Sequence, residues 1–269
     1  MTVEAGYFDE LLPQIVDLAR DAGERILAVY RRGECNVERK PDSTPVTEAD
    51  LVAHHAIIAG LAMLNADWPV LSEESEEIPY AERRQWQRYW LVDPLDGTRE
   101  FIKRNGEFSV NIALIDGNAP VLGVVHAPVS GMSYYARRGG GAYKMDPQDR
   151  SQPIHVRSYR NGRVVVAGSR SHRGDSLNRF LANLPGYEII TMGSALKSCL
   201  VAEGKADIYP RLGPTSEWDT GAAQCVVEEA GGSVTDTSMR PLRYNTKASL
   251  LNPHFFVFGD SAVNWSKYM

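Results

Sequence analysis

The sequence predicts a two-part fold, an α+β half followed by an α/β half. Three observations carry that expectation: amphipathic helical spacing near the N-terminal end, short apolar segments punctuated by Gly and Pro from about residue 68, and strand–helix alternation from about residue 160. A length of 269 residues admits one large domain or two modest ones sharing a core. The polar, Pro-containing stretch near 145–160 separates the halves, giving an α+β part at 1–155 and an α/β part at 156–269.

From Phe8 to Tyr30, apolar residues recur at Leu11, Leu12, Ile15, Leu18, Ala19, Ala22, Ile26 and Val29. That spacing predicts a helix with one apolar face, and Pro13 is tolerable near its start. A second helix is expected from Thr47, whose hydroxyl can cap it, through Leu51, Ile57, Ile58 and Leu61. Asp50 lies in its first turn, where the helix dipole favours a carboxylate, so a plain capping role stays open for it. Segments 70–72, 89–92, 109–115, 121–125 and 133–136 read as strands of a meander, so the first half should place helices on a mainly antiparallel sheet. Gly139-Gly140-Gly141 reads as a hairpin turn. In the second half, strands at 163–168, 188–190 and 206–209 alternate with helices near 174–184 and 194–203. A last helix from Thr220 to Ala230 is stopped by Gly231-Gly232.

Hydrophobic residues make up 43% and charged ones 23%, the composition of a chain that buries a core. With 29 Lys and Arg against 34 Asp and Glu the net charge is −5, which offers no general field for a nucleic-acid polymer. A small anion can still bind where cations gather. Cys35, Cys199 and Cys225 are odd in number and too widely spaced for a CxxC pair, and read as reduced, mostly buried thiols. The first residues carry acids where a signal peptide needs a basic start, and no run approaches the length of a membrane span. A soluble, cytoplasmic protein is expected.

The strongest chemical signal is Trp90-Leu91-Val92-Asp93-Pro94-Leu95-Asp96-Gly97-Thr98, an apolar strand ending in two aspartates three apart with Pro and Gly shaping the turn. Such a turn can aim two carboxylates and a carbonyl at one point, the oxygen donors that hard divalent cations take. An ordinary Asp-Gly turn has the same composition. Glu73-Glu74 ends another short apolar strand, or forms a solvated charge run with Glu76 and Glu77; Asp219 starts a helix, or merely caps it. The constellation, not any one member, points to a metal site. Other schemes fail: His54-His55 lacks the HExxH frame, no GxSxG occurs, and the triple glycine lacks the Gly-Lys-Ser/Thr ending of a P-loop.

Glu73-Glu74, Asp93-Pro94-Leu95-Asp96-Gly97-Thr98 and Trp218-Asp219 resemble, in order and separation, three signatures of the inositol monophosphatase superfamily of Mg²⁺-dependent, lithium-sensitive phosphatases. The resemblance runs from Pro45-Val46-Thr47-Glu48-Ala49-Asp50 to Gly231-Gly232. Residues 89–108, Ser169-Arg170-Ser171-His172 and Leu196 to Gly204 are similar to its CysQ-type 3'(2'),5'-bisphosphate nucleotidase branch. Ala195 departs from that branch, which has a second Ser in the Gly-Ser-Ser-Leu-Lys run, and this puts one contact in question.

The resemblance implies a layered αβαβα sandwich of the inositol monophosphatase/sugar phosphatase type, with the acidic motifs meeting in a cleft. It implies hydrolysis of adenosine 3',5'-bisphosphate (PAP) to AMP and phosphate, extending to conversion of PAPS to APS, and so a link to sulfur metabolism. An inositol or sugar monophosphatase is the alternative on the same scaffold; a catalytically silent nucleotide sensor is the alternative of another class. By the same resemblance, Glu73, Asp93 and the Leu95 carbonyl hold one Mg²⁺, and Asp93, Asp96 and Asp219 hold a second. Glu73 and Thr98 orient a metal-activated water for direct attack on phosphorus, and Asp50 stands behind them, tuning that water or holding a third ion. Glu73, Leu95, Asp96, Gly97, Thr98 and Asp219 surround the phosphate, the Gly97 and Thr98 amides donating to it. Arg170, His172 and Lys197 read the rest of the nucleotide, with His172 or Tyr209 offering adenine a flat surface. Judged by residue type alone, Arg170 and Lys197 are solvated charges and His172 a surface histidine; Lys103 and Arg104 are equally ambiguous. The expected partner is a small nucleotide and not a polymer, for a monomer or homodimer without a transmembrane segment. Contact with the cytoplasmic face of the inner membrane is an implied option.

Overall fold

Residues 3–33, 37–39, 45–160, 162–169 and 174–269 are described by the structure, a computed structural model. Helix α1 (Val3–Arg32) exceeds the predicted helix at both ends and carries Pro13 in its N-terminal part. It buries Leu11, Ile15, Ala19, Ala22 and Ile26, the stripe that the spacing anticipates. Strands β1 (Val37–Arg39) and β2 (Pro45–Thr47) pair antiparallel and lead into helix α2 (Glu48–Leu64). Thr47 caps α2: its Oγ1 accepts from the Ala49 amide at 3.2 Å, while Asp50 Oδ2 accepts from the Thr47 amide at 2.8 Å.

A seven-stranded sheet follows in the order β3-β4-β5-β6-β7-β8-β9. Its strands are β3 (Val70–Ser72), β4 (Arg88–Asp96), β5 (Ser109–Asp116), β6 (Ala119–Ala127), β7 (Met132–Arg137), β8 (Ala142–Met145) and β9 (Ser151–Ile154). Only β3 and β4 run parallel, with the short helix α3 (Tyr80–Arg83) between them; every other pair is antiparallel, as expected of a meander. The turn at 139–141 joins β7 to β8. Alternation along β4 and β5 covers both faces of this sheet. Trp90, Val92, Ile112 and Leu114 pack under α1 and α2, whereas Leu91, Ala113 and Ile115 face the opposite side.

The second sheet has the order β11-β10-β12-β14-β13. It comprises β10 (Val164–Gly168), β11 (Tyr187–Thr191), β12 (Ile208–Arg211), β13 (Ser233–Asp236) and β14 (Phe255–Phe258). Strands β11, β10 and β12 are parallel; β14 and β13 join antiparallel, which strand–helix alternation alone does not foretell. Helices α6 (Leu196–Ala202) and α7 (Gly221–Glu229) lie between the two sheets, where Ala222, Val226 and Cys199 share one core with Leu91, Val165 and Val257. Helix α5 (Asp175–Ala182) covers the outer face through Leu177, Phe180 and Leu181 against Val164, Ile208 and Phe256. The layering is therefore α1/α2, sheet, α6/α7, sheet, α5, an αβαβα sandwich. Gly123 permits the tight middle layer: a Cβ there would meet the Ala222 carbonyl oxygen at 2.3 Å. Cys199 and Cys225 are free and buried, and Cys35 lies outside the described residues. Among the described residues no helix is long and apolar enough to cross a membrane.

Candidate active site

The acidic motifs converge because each sits where an element ends. Glu73 follows β3, and its amide donates to the Val92 carbonyl at 3.1 Å, fastening it to the neighbouring strand. The next strand, β4, runs on beyond the expected end at Val92, and its register against β5 shifts between Asp93 and Asp96. That irregularity lets residues three apart face one space. Gly97 then turns at φ +96°, a left-handed conformation that suits glycine, and the five-residue helix α4 (Thr98–Ile102) begins. Asp219 closes the group from the second half. It ends the 3₁₀ turn Glu217–Asp219 that leads directly into α7, and its carboxylate caps that turn by accepting from the Ser216 amide at 2.9 Å.

Glu73, Asp93 and Asp219 each offer a carboxylate oxygen within 4.8 Å of the others. Asp93 and Asp219 of that trio are each pinned through one oxygen, and so is Asp96, which lines the same cleft but is not one of the three mutually close carboxylates. Asp93 Oδ1 accepts from the Leu95 amide at 3.1 Å, Asp96 Oδ2 from the Ala195 amide at 2.6 Å, and Asp219 Oδ2 from the Ser216 amide. This gives crowded hard oxygen donors of fixed direction, a set that fits Mg²⁺. Without a cation such crowding is electrostatically unfavourable. Burial, reinforced by Glu73, Asp96 and Asp219, holds the Asp93 carboxyl well above the usual range. Burial, with Asp96 and Glu73, does the same to Asp219. Asp96 is pushed up by burial to about 6, against the opposing pull of Lys197 and the Ala195 amide.

Behind this cluster, Thr98 Oγ1 donates to Asp50 Oδ1 at 3.2 Å. One Asp50 oxygen therefore caps α2, and the other accepts from Thr98, which lines the cleft. Burial raises the Asp50 carboxyl, opposed by its bonds from Thr47.

Glu73, Asp93, Leu95, Asp96, Gly97, Thr98, Lys197 and Asp219 all line one cleft of about 740 Å³. Lys197 is not the solvated charge that its residue type allows. It is buried, donates to the Ser194 carbonyl at 2.6 Å and lies 5.2 Å from the centre of the Tyr209 ring. Burial lowers its pKa to about 8 although Asp96 pulls the other way. Ala195 contributes through its backbone amide, which needs no hydroxyl, so its departure from Ser leaves the Asp96 contact intact. Tyr209 lines the cleft but is largely buried, edge-on to Phe255. Arg170 and His172 lie outside the described residues, although Ser169 and Gly174 on either side both line the cleft. Sequence reasoning missed Arg211, which also lines it; a charge closing the apolar strand Ile208-Tyr209-Pro210 is the same signal that singles out Asp93.

Comparison with known proteins agrees with this geometry. The chain belongs to the inositol monophosphatase family, whose model matches residues 8–257. Members of that family generally use Mg²⁺. Among its relatives, the 3'(2'),5'-bisphosphate nucleotidase CysQ of Salmonella typhimurium is 50% identical over 248 residues, covering 92% of this chain and 99% of that protein. The crystal structure of CysQ from Bacteroides thetaiotaomicron superposes with a TM-score of 0.83 at 43% identity, over 94% of this chain and 98% of that one. The extragenic suppressor protein suhB from Bartonella henselae gives 0.79 at 26% identity, over 96% and 98%.

Proposed function

We propose that this cleft removes the 3'-phosphate from adenosine 3',5'-bisphosphate, releasing AMP and phosphate, and that it accepts the sulfated analogue in the same way. The observation that carries the proposal is the pairing, in one cleft, of the Glu73, Asp93 and Asp219 carboxylates with the cations Lys197 and Arg211. A substrate with two phosphates can use both the carboxylate cluster and these cations; an inositol monophosphate has no second phosphate for them. The nucleotidase relatives point the same way.

In this reading Glu73, Asp93 and the Leu95 carbonyl would hold one Mg²⁺, and Asp93, Asp96 and Asp219 would hold another. Bound Mg²⁺ would neutralise phosphoryl charge and lower the pKa of an attacking water. Glu73 and Thr98 orient that water. Thr98, donating to Asp50, keeps lone pairs to take a water proton while its own proton passes to Asp50, whose raised pKa makes it a ready acceptor. Both Asp50 oxygens are already engaged, by Thr47 and by Thr98, which favours this role over a third ion. The Gly97 and Thr98 amides, at the left-handed turn lining the cleft, would donate to phosphate oxygens. Lys197 and Arg211, with Arg170 and His172, take the nucleotide. Phosphorus NMR of the products tests the assignment: AMP alone is expected, and adenosine 3'-phosphate would overturn it.

A further inference from the structure

The turn that carries Asp219 is gripped by charges that the site itself does not use. Glu217, two residues earlier, is completely buried; its Oε2 accepts from the Asn245 amide at 2.8 Å, and its Oε1 lies 3.8 Å from Lys247 Nζ, an ion pair longer than a hydrogen bond. The side chain of Asn245 continues the chain of contacts. Its Oδ1 accepts from Arg83 Nη1 at 2.6 Å, and its Nδ2 donates to the Arg83 carbonyl at 2.5 Å. Arg83 is buried too, and its other terminal nitrogen donates to the Ala248 carbonyl. Arg83 ends α3, the helix that joins the Glu73 segment to β4. A buried strut therefore connects the chain between two acidic site residues of the first half, Glu73 and Asp93, with the turn holding the acid supplied by the second. Isolated buried charges are expensive, and an apolar pair of similar size would stabilise a core as well or better. Their placement next to the turn gives them a role in geometry.

We propose that Arg83, Asn245 and Glu217 are positioning residues for the metal centre, fixing Asp219 at its distance from Glu73 and Asp93 and so setting divalent-cation affinity. The inference rests on the metal-binding reading of Asp219. Partners that orient ligating carboxylates commonly change metal affinity ten- to a hundredfold when removed. The local turn alone does not fix this distance, since the Ser216–Asp219 contact lies within four residues, whereas the strut spans 162 positions from Arg83 to Asn245.

The test is Mn²⁺ binding to the full chain by calorimetry and paramagnetic resonance, with the melting transition recorded for each variant. Asn245→Gly is the mildest probe, because Asn245 has φ +55° and glycine adopts that conformation readily. It removes both side-chain contacts to Arg83 and keeps the amide bonded to Glu217. Glu217→Gln retains shape and removes the charge. Asp219→Asn controls for the underlying reading. Asn245→Gly and Glu217→Gln, each with a single cooperative melt, should bind Mn²⁺ about tenfold more weakly, and excess cation should restore most of kcat. Wild-type Mn²⁺ affinity in a folded Asn245→Gly protein would overturn the strut while Asp219→Asn still lost binding. Unchanged binding in Asp219→Asn would instead overturn the metal reading of that residue. If Glu217→Gln fails to fold, Asn245→Gly decides alone; if both fail to fold, the residues hold the fold together and the proposal is wrong.

Discussion

Replacing Asp96 with asparagine should inactivate the protein and yet stabilise its metal-free form at alkaline pH. Burial lifts this carboxyl from its ordinary 3.8 to about 6 in the folded chain. A folded pKa above the unfolded one means that the folded state holds the proton more tightly. The group's favourable contribution is complete below about pH 4 and is lost as pH rises through about 6. A rise of about two pH units, at about 1.4 kcal/mol each, makes ionised Asp96 cost about 3 kcal/mol at pH 8. Asparagine carries no charge and its carbonyl oxygen can keep the Ala195 amide bond. Asn111 donates to the same oxygen and is kept with it; allowing about 1 kcal/mol for the amide group that replaces the second carboxylate oxygen, the net gain is about 2 kcal/mol. For a chain of this size that raises Tm by about 4–8 °C. Scanning calorimetry in EDTA should show this rise for Asp96→Asn at pH 8 and none at pH 4. Mg²⁺ should narrow or reverse the difference, because ligand binding stabilises only a protein that still binds it well. An Asp96→Asn protein that melts below wild type in EDTA at pH 8 would refute the reasoning.

Thr98→Ala should lower kcat by about 10²- to 10⁴-fold, the range for a lost proton-transfer group, while Mn²⁺ binding stays near wild type; unchanged turnover would contradict the Thr98–Asp50 relay. Arg211→Ala should reduce kcat/KM for adenosine 3',5'-bisphosphate by about ten- to a hundredfold, the loss of one charge-assisted contact, and leave inositol 1-phosphate hydrolysis nearly unchanged. Equal losses on both would place Arg211 at the shared phosphoryl site. If Asp96 and Asp219 hold the weaker ion, Li⁺ should inhibit turnover and excess Mg²⁺ should slow product release; steady-state rates indifferent to both ions would count against that arrangement.

Local chemistry made the acidic cluster legible. Asp93 and Asp96 are marked by an apolar strand that stops at Pro and Gly, and Glu73 by a second strand end, so linear spacing reports their convergence. Thr47 and Asp50 were visible as a cap, and the structure shows that the cap uses one oxygen of the carboxylate while the other accepts from Thr98. What stayed hidden depends on distant pairing. Lys197 and Arg83 look solvated by residue type and are buried: Arg83 against Asn245, 162 positions away, and Lys197 bonded to the Ser194 carbonyl and within the field of Asp96, about a hundred positions away. The antiparallel strands β13 and β14 were missed for the same reason, since β14 pairs with β12 across a long connection that no short-range pattern encodes. Arg211 was passed over although it closes an apolar strand just before Leu212-Gly213-Pro214, the kind of strand-end signal that marks Asp93.

Phosphate release measured on adenosine 3',5'-bisphosphate and inositol 1-phosphate, each with Mg²⁺ and again in EDTA, tests the account most directly. The account predicts a kcat/KM favouring the bisphosphate and loss of both activities in EDTA, restored by added Mg²⁺. Preference for inositol 1-phosphate, or turnover that survives metal removal, would contradict it.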